Sequence, residues 1–354
     1  MTNAELGYNQ NLEEFRIAEK LNNFNIARVT SEHKDRFIVK NESNEFEAEI
    51  IGNLRFNALD RKDLPAVGDW VAISEYDNNK ALIHAVFPRK SIIERKAVGL
   101  NGKAQIIATN IDFGLIVQSV NRDFSLNRIE RYLTICYNSK IEPIVILSKV
   151  DLISETELND YISTLKDRLK NVLIFAISNH TKTGIEEIKQ SLVIGKTYCL
   201  LGSSGVGKST LINTLTGKET MNTGTISESI NRGKHVTSHR ELIVFKNGIL
   251  IDNPGMREIG ITNVSEGLEV TFEDIAILSK ECRYKDCSHT NEKDCAIIFA
   301  LENGELDEGS YDNYQKMERE RAFFESTITD KKQQGKNLSK LIRQNKKMRN
   351  KNKF

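Results

Sequence analysis

The sequence contains no long hydrophobic run and few cysteines. Within its 354 residues, no stretch approaches the roughly 18 consecutive apolar residues that a transmembrane helix needs. The N-terminal region mixes acidic side chains such as Glu13 and Glu14 with short apolar pieces, unlike the core of a signal peptide. The 5 cysteines are too few and too unevenly spaced for a disulfide framework. These absences predict a cytoplasmic protein that is not held by a membrane.

The net charge is small, but the charges are unevenly distributed. The formal net charge is +1, whereas the segment 331–354 contains ten Lys or Arg residues and no Asp or Glu. The rest of the chain is therefore net negative. This basic tail is either a solvated chain end or an RNA contact, and RNA contact is the interpretation we favour. With 39% hydrophobic and 28% charged residues, the composition is that of an ordinary globular protein.

Short β-rich runs, separated by turn-forming residues, occupy the region from Ile26 to Arg95. They include the segments 36–39, 46–51, 69–73 and 81–87. About five short strands in about 70 residues predict a small β-barrel. An OB-type barrel and an SH3-like barrel both fit this pattern, and we favour the OB type, which commonly binds oligonucleotides.

Continuous apolar runs alternate with helical periodicity in the middle of the chain. The apolar runs are 113–120, 144–147, 172–177, 198–201 and 249–251, and the helical stretches include 126–137, 155–169 and 185–192. Such alternation predicts an α/β domain with a mainly parallel sheet.

The strongest motif is a full G-x-x-x-x-G-K-S between a predicted strand and a predicted helix. It consists of Gly202, Ser203, Ser204, Gly205, Val206, Gly207, Lys208 and Ser209. In this setting glycines allow backbone N–H groups to face phosphate oxygens, and the N-terminus of the following helix adds a favourable dipole. We therefore expect a nucleotide phosphate here, with Lys208 reaching the β- and γ-phosphates and Ser209 ligating Mg²⁺.

A candidate reader of guanine follows the apolar run 144–147. Ser148, Lys149, Val150 and Asp151 resemble the [N/T]-K-x-D element of GTPases. An aspartate can accept hydrogen bonds from guanine N1–H and N2–H₂, a donor pair that adenine lacks, and each such bond is worth roughly 1.5–3 kcal/mol. Ser148 replaces the usual asparagine, which predicts weaker hydrogen bonding within the loop but leaves the carboxylate in place. The pattern favours GTP over ATP.

Two further elements complete the predicted nucleotide site. Ser178 and Asn179 follow the next apolar run and resemble the loop whose backbone N–H contacts guanine O6, although Asn179 replaces the usual alanine. Asp252 and Gly255 form a D-x-x-G element after another apolar run. Asp252 is predicted to hold Mg²⁺ through water, and the Gly255 N–H to meet the γ-phosphate.

The polar segment between the P-loop and the D-x-x-G element occupies the place of a first switch. Thr237 is the predicted hydroxyl ligand of Mg²⁺, with Ser238 as a close competitor. Ras-like enzymes have a water-orienting glutamine directly after D-x-x-G, but here that residue is Met256. A thioether cannot orient water, so we predict slow intrinsic turnover, with His235 favoured over His239 as the activating residue.

A cysteine cluster lies beyond the D-x-x-G element. The spacing Cys282-x4-Cys287-x-His289-x5-Cys295 offers three thiolates and one imidazole. This set suits a closed tetrahedral Zn²⁺ site, and no neighbouring glutamate base indicates catalysis. Free thiols in a reducing compartment are the alternative. We predict one structural zinc per chain.

The order of these elements is unusual, because the guanine reader and the O6 loop precede the P-loop. An ordinary GTPase begins with the P-loop, so this chain is predicted to be circularly permuted, which a sheet with neighbouring termini tolerates. We predict three domains: an N-terminal segment with an OB-fold barrel (1–98), a circularly permuted α/β P-loop GTPase domain (99–265), and a mainly helical zinc-binding domain with the basic tail (266–354).

Together these features resemble the RsgA-type small-ribosomal-subunit biogenesis GTPases, over residues 26–325. The resemblance rests on the barrel, the permuted G-S-S-G-V-G-K-S and D-N-P-G motifs, and the C-x4-C-x-H-x5-C spacing. It implies a GTP hydrolase that binds the small (30S) ribosomal subunit and its rRNA late in assembly and is stimulated by it. It also implies GTP contacts at 148–151 and from Gly202 to Thr210, and zinc at the cysteine cluster.

Two other functions fit parts of the sequence. One is a zinc-containing RNA-binding module that senses GTP or GDP without significant turnover. The other is a P-loop ATPase or kinase, against which Asp151 argues. We expect the chain to act as a monomer.

Overall fold

The computed structural model describes residues 1–33, 36–77, 79–96, 104–121, 123–217, 240–252 and 264–325. The strands are β1 Asn25–His33, β2 Arg36–Lys40, β3 Glu45–Ile50, β4 Trp70–Asp77, β5 Lys80–Val86, β6 Ile92–Lys96, β7 Ala104–Thr109, β8 Phe113–Ser119, β9 Glu142–Ser148, β10 Leu173–Ile177, β11 Thr197–Leu201, β12 Glu241–Phe245 and β13 Gly248–Asp252. The helices are α1 Gln10–Ala18, α2 Gly52–Asn57, α3 Leu126–Asn138, α4 Glu155–Arg168, α5 Ile185–Ser191, α6 Lys208–Thr216, α7 Ser265–Thr271, α8 Glu273–Ser279, α9 Ala296–Glu302 and α10 Glu308–Glu325.

The first five strands close into a barrel. Strand β1 pairs with β2 and β4, β2 pairs with β3, β3 runs parallel to β5, and β5 pairs with β4. The side chains that alternate inward along these strands form one apolar core. Its buried members are Ala27, Val29, Phe37, Val39, Phe46, Ala48, Val71, Ile73, Ala81 and Ile83. The prediction of an N-terminal OB-like barrel is confirmed.

A second apolar cluster lies between the barrel and the N-terminal segment. Trp70 is only 1% exposed, and the ring of Tyr8 packs edge-on against it at 4.9 Å. Leu12 of α1 and Phe87 belong to the same cluster. The N-terminal segment is therefore part of the folded unit, although its sequence pattern predicts no element there.

The central part of the chain forms a mainly parallel sheet flanked by helices. The strand order is β10-β9-β8-β11-β13-β12, and only β12 is antiparallel to its neighbour β13. Two separate apolar clusters cover its two faces, one with α3 and α4 and the other with α5 and α6. Burial on both faces explains why these strands are continuous apolar runs in the sequence.

The barrel and the parallel sheet are joined through their backbones. Strand β1 pairs antiparallel with β12, with Ser31 opposite Glu241. One continuous sheet of eleven strands results, ordered β10-β9-β8-β11-β13-β12-β1-β2-β3-β5-β4. This pairing brings the barrel into direct backbone contact with the parallel sheet.

Arg28 lies at this junction and is only 1% exposed. Its guanidinium donates to Leu6 O at 2.7 Å, Gly68 O at 3.1 Å, Asn110 O at 3.3 Å and Thr197 Oγ1 at 2.9 Å. Burial lowers the pKa of Arg28 to about 10. One side chain thus connects the N-terminal segment, the barrel and the parallel sheet.

The C-terminal helices α7 to α10 form their own apolar cluster and pack against α3. Gly267 of α7 lies so close to α3 that a Cβ there would collide with Thr134 O. Beside this contact, Thr134 Oγ1 donates to Thr271 Oγ1 at 2.9 Å. The mainly helical character of this region agrees with the prediction.

The two boundaries between the three predicted domains stay predictions. The boundary between residues 98 and 99 falls outside the described residues, between β6 and β7.

Among the described helices, none combines the length and the apolar character needed to cross a bilayer.

Candidate nucleotide and metal sites

Three glycines shape the loop between β11 and α6. Gly202, Gly205 and Gly207 have φ angles of 148°, 81° and 97°, which residues with a Cβ rarely adopt. A Cβ on Gly202 would also collide with Val117 O in β8. The loop therefore needs glycine at these positions, and it leads directly into the N-terminus of α6, where the first N–H groups have no intrahelical partner.

Lys208 is the first residue of α6, and its side chain folds back over the loop. Its Nζ donates to Gly202 O at 2.9 Å and to Ser203 O at 2.7 Å. The ammonium group is thereby held across the loop where the phosphates are predicted to bind. Ser209, the predicted Mg²⁺ ligand, follows it in the first turn of α6.

The predicted guanine reader is tied directly to the P-loop. Ser148 ends β9, is fully buried, and its Oγ donates to Val206 O at 2.6 Å. The serine thus bonds the P-loop although it is shorter than the usual asparagine. Lys149 adopts a left-handed conformation with φ 63°, and Asp151 is exposed. Within the described part of the chain, no group bonds the Asp151 carboxylate, which leaves it available to a base.

The loop after β10 lies against the other side of the P-loop. Ser178 is buried, and its Oγ accepts from the backbone N–H groups of His180 at 3.1 Å and Thr181 at 3.0 Å. Asn179 Nδ2 lies 3.4 Å from Gly207 O, to which it donates. The predicted O6 loop is therefore adjacent to the phosphate loop.

All these loops lie at one edge of the sheet. Strands β9, β10, β11 and β13 run in the same direction, so their carboxyl ends meet at that edge. Asp252 is the last residue of β13 and is 5% exposed. Since β13 is the direct neighbour of β11, the predicted Mg²⁺ carboxylate and the P-loop follow adjacent strands.

The remaining predicted nucleotide residues lie outside the described residues. They are His235 and Thr237 of the first switch, with their competitors Ser238 and His239, and Gly255 of the D-x-x-G element, with Met256 after it. The basic tail 331–354 also lies outside. Their roles stay predictions.

The four predicted zinc ligands converge. One ligand atom from each of Cys282, Cys287, His289 and Cys295 lies within 4.8 Å of all the others. Cys282 Sγ is 3.8 Å from Cys295 Sγ and 3.5 Å from His289 Nδ1. A tetrahedron with Zn–S of about 2.3 Å and Zn–N of about 2.0–2.1 Å has S···S edges of about 3.8 Å and S···N edges of about 3.6 Å. The geometry therefore fits Zn²⁺ bound through His289 Nδ1.

The surroundings of the cluster act in opposite directions on its imidazole and on one of its thiols. Burial lowers the pKa of His289, which keeps the imidazole in its neutral, metal-binding form. Desolvation raises the pKa of the Cys287 thiol to about 11, so a metal must displace its proton. The Tyr311 hydroxyl of α10 donates to the His289 carbonyl oxygen. This bond fixes the imidazole-bearing turn to the last described helix.

Helix α3 carries contact residues that no sequence motif marks. At its first turn, Arg128 Nη1 donates to Ser203 Oγ of the P-loop at 3.3 Å. Further along, Arg131 forms two 2.7 Å bonds to Glu320 of α10. The buried Glu130 accepts from Arg168 Nε at 2.6 Å. No local pattern in α3 marks these contacts, because their partners lie far away in the sequence.

Comparison with known proteins identifies relatives of the whole arrangement. A family model for the RsgA GTPase matches residues 86–262, and a model for the ABC transporter matches residues 185–340, a region that also contains the P-loop. The chain is 44% identical over 299 residues to a Listeria innocua protein named small ribosomal subunit biogenesis GTPase RsgA 1, covering 84% of each chain.

Two solved structures share the fold. YjeQ from Thermotoga maritima superposes with a TM-score of 0.63 at 27% identity, covering 82% of this chain and 96% of that one. YloQ, described as a circularly permuted GTPase, has a TM-score of 0.60 at 22% identity and covers 86% and 97% of the two chains. The predicted family and the permuted GTPase fold are confirmed.

Proposed function

The chain belongs to the RsgA GTPase family, and on that premise we propose that it hydrolyses GTP to GDP and phosphate while assisting late maturation of the small (30S) ribosomal subunit. The observation that carries the proposal is the bond between Ser148 Oγ and Val206 O. It holds the guanine-reading loop and the phosphate loop together as one site at the sheet edge. The name of the Listeria innocua relative supports the choice of the ribosomal subunit as partner.

The predicted site residues divide the work of binding. Asp151 reads guanine, with Lys149 and Val150 completing its loop, and Ser178 positions the O6 loop. The backbone N–H groups of the P-loop, up to Thr210, hold the phosphates, and Lys208 neutralises their charge. Ser209, Asp252 and Thr237 are the residues that would hold Mg²⁺, which supplies charge neutralisation between the β- and γ-phosphates.

The chain lacks the glutamine that orients the attacking water in Ras-like enzymes. Because Met256 stands after D-x-x-G, we propose that His235 orients the attacking water once the subunit is bound. Gly255 is proposed to meet the γ-phosphate. On this account intrinsic turnover is slow and subunit binding accelerates it.

The finer account of the partner is also a proposal. The ten basic residues and absent acids of the tail 331–354 support contact with rRNA. We also propose that the chain acts as a monomer. We place this activity in the cytoplasm, where ribosomal subunits are assembled.

GTP turnover measured with and without purified small subunits tests the function. We expect slow release of phosphate from GTP by the wild type alone and a large increase when subunits are added. Lys208→Ala should abolish both rates, because the loop loses the cation that faces the phosphates. A wild type that binds GTP and the subunit but shows no increase would favour the alternative, a zinc-containing module that senses GTP or GDP without turnover.

Nucleotide selectivity tests the guanine assignment separately. Asp151→Asn should weaken GDP binding by roughly 10- to 100-fold or more, because at least one charge-assisted hydrogen bond worth about 1.5–3 kcal/mol is lost. ADP binding, measured in the same titration calorimetry series, should stay weak in both proteins. Equal affinity of the wild type for GDP and ADP would remove the guanine assignment.

A further inference from the structure

Arg128 has a position in the fold that no predicted role explains. It occupies the third position of the first turn of α3, where its backbone N–H is capped by Ser125 Oγ. Its half-buried guanidinium donates to Asp123 O at 3.1 Å and to Ser203 Oγ at 3.3 Å. Ser203 is the second residue of the P-loop, so the side chain of Arg128 contacts the phosphate loop directly.

Among the described residues, no carboxylate bonds the guanidinium of Arg128. Across the described ranges, its guanidinium bonds only the carbonyl and hydroxyl named above. Three other half-buried arginines, Arg89, Arg131 and Arg168, each bond an Asp or Glu. Arg128 is thus a cation held beside the P-loop by neutral groups.

Two further positive features lie beside the guanidinium of Arg128. The N-terminus of α3 carries the positive end of a helix dipole, and its first turn contains no acidic residue. A Ser N-cap is often paired with Glu at the third position, where this chain has Arg128. In addition, Lys208 Nζ bonds the carbonyl of the same Ser203. An anion at the loop would be attracted by the helix dipole, by Lys208 and by Arg128.

We propose that Arg128 is a further nucleotide-site residue whose guanidinium contacts the terminal phosphate of GTP. The proposal rests on the proposed function, since it takes GTP as the ligand. GDP brings only its α- and β-phosphates to the loop N–H groups, whereas GTP adds the charge and the free oxygens of a γ-phosphate, which Lys208 is also predicted to reach. An arginine matches such oxygens with its planar fork of donors. Arg128 therefore distinguishes GTP from GDP.

The affinities of the full-length protein for GDP and for guanylyl imidodiphosphate, a non-hydrolysable GTP analogue, test this assignment. Arg128→Gln should weaken binding of the analogue by about 10- to 100-fold, as expected for one charge-assisted contact, while GDP affinity stays nearly unchanged. Arg128→Lys should lose part of the analogue affinity, because it keeps the charge but not the fork. The turnover number should fall along with the analogue affinity.

Arg131→Gln is the matched control, since it removes an arginine from the same helix whose charge is already paired with Glu320. It should leave the ratio of the two affinities unchanged. Circular dichroism and GDP binding show that each variant is folded. An equal loss for both nucleotides, or no loss, in Arg128→Gln would mean that Arg128 only supports the loop, and the inference would be wrong. A wild type that binds neither nucleotide would instead overturn the proposed function and the inference with it.

Discussion

A chain carrying Cys295→Ser is expected to purify without zinc and with the helices α7 to α10 unfolded. Cys295 is 3% exposed and precedes α9, so its thiol belongs both to the metal cluster and to the apolar core of this region. A structural zinc site contributes on the order of 10–16 kcal/mol of apparent folding free energy. A region of four helices has too small a core to replace that contribution.

Zinc content and amide hydrogen exchange together measure this effect. We expect the wild type to carry one zinc per chain and the variant almost none. Protection should be lost in α7 to α10 and retained in β8, β9 and β11. Cys136→Ala is the control, because Cys136 is buried in α3 outside the cluster and its loss should leave the zinc in place. A metal-free wild type with a protected C-terminal region would contradict the zinc assignment.

Arg28→Met is expected to lower the free energy of unfolding by about 3–5 kcal/mol, because several buried acceptors lose a donor and each such loss costs about 1–3 kcal/mol. Methionine keeps much of the volume but removes every donor, so the four buried acceptors at the junction lose their hydrogen bonds. The nearby carboxylates of Asp69 and Asp112 also lose a compensating charge. Urea unfolding followed by tryptophan fluorescence measures the change, since the single tryptophan, Trp70, is buried in the cluster beside this junction.

Arg36→Met provides the comparison on the barrel surface. The Arg36 side chain is 62% exposed and pairs with Glu47 at 2.6 Å. Exposed ion pairs of this kind contribute about 0–1 kcal/mol, so this variant should unfold at nearly the wild-type urea concentration. If both arginine variants had the same small effect, Arg28 would not stabilise the junction between barrel and sheet.

Chemistry that depends on neighbouring residues could be predicted from the sequence. The P-loop is such a case, because its positive φ angles require glycine at Gly202, Gly205 and Gly207 and the helix begins immediately afterwards. The zinc ligands are another case. Their thiol and imidazole groups are the usual ligands of Zn²⁺, and they lie in one short segment from Cys282 to Cys295. The order of the motifs also indicated the permutation. Each motif follows its own apolar run, and the guanine reader comes before the P-loop.

The sequence pattern was less informative where a contact depends on a residue far away in the chain. It predicted a weakened loop at Ser148, because the usual asparagine is missing, and it had no means of showing that Val206 O lies within 2.6 Å. It assigned the barrel and the GTPase region to separate domains and contained no sign that β1 and β12 pair. A strand's alternation shows which face is buried but not which strand lies beside it.

The sequence by itself therefore determined the family, the barrel and the four residues of the zinc cluster, and it predicted the nucleotide loops, since each depends on residue type and short spacing. Only the tertiary structure decided that Arg28 reaches Thr197, 169 residues away, and that Arg128 lies on Ser203, 75 residues away. The physical reason is that these contacts arise from the packing of whole elements. An arginine has the same local sequence signature whether its charge meets water, a carboxylate or a phosphate loop.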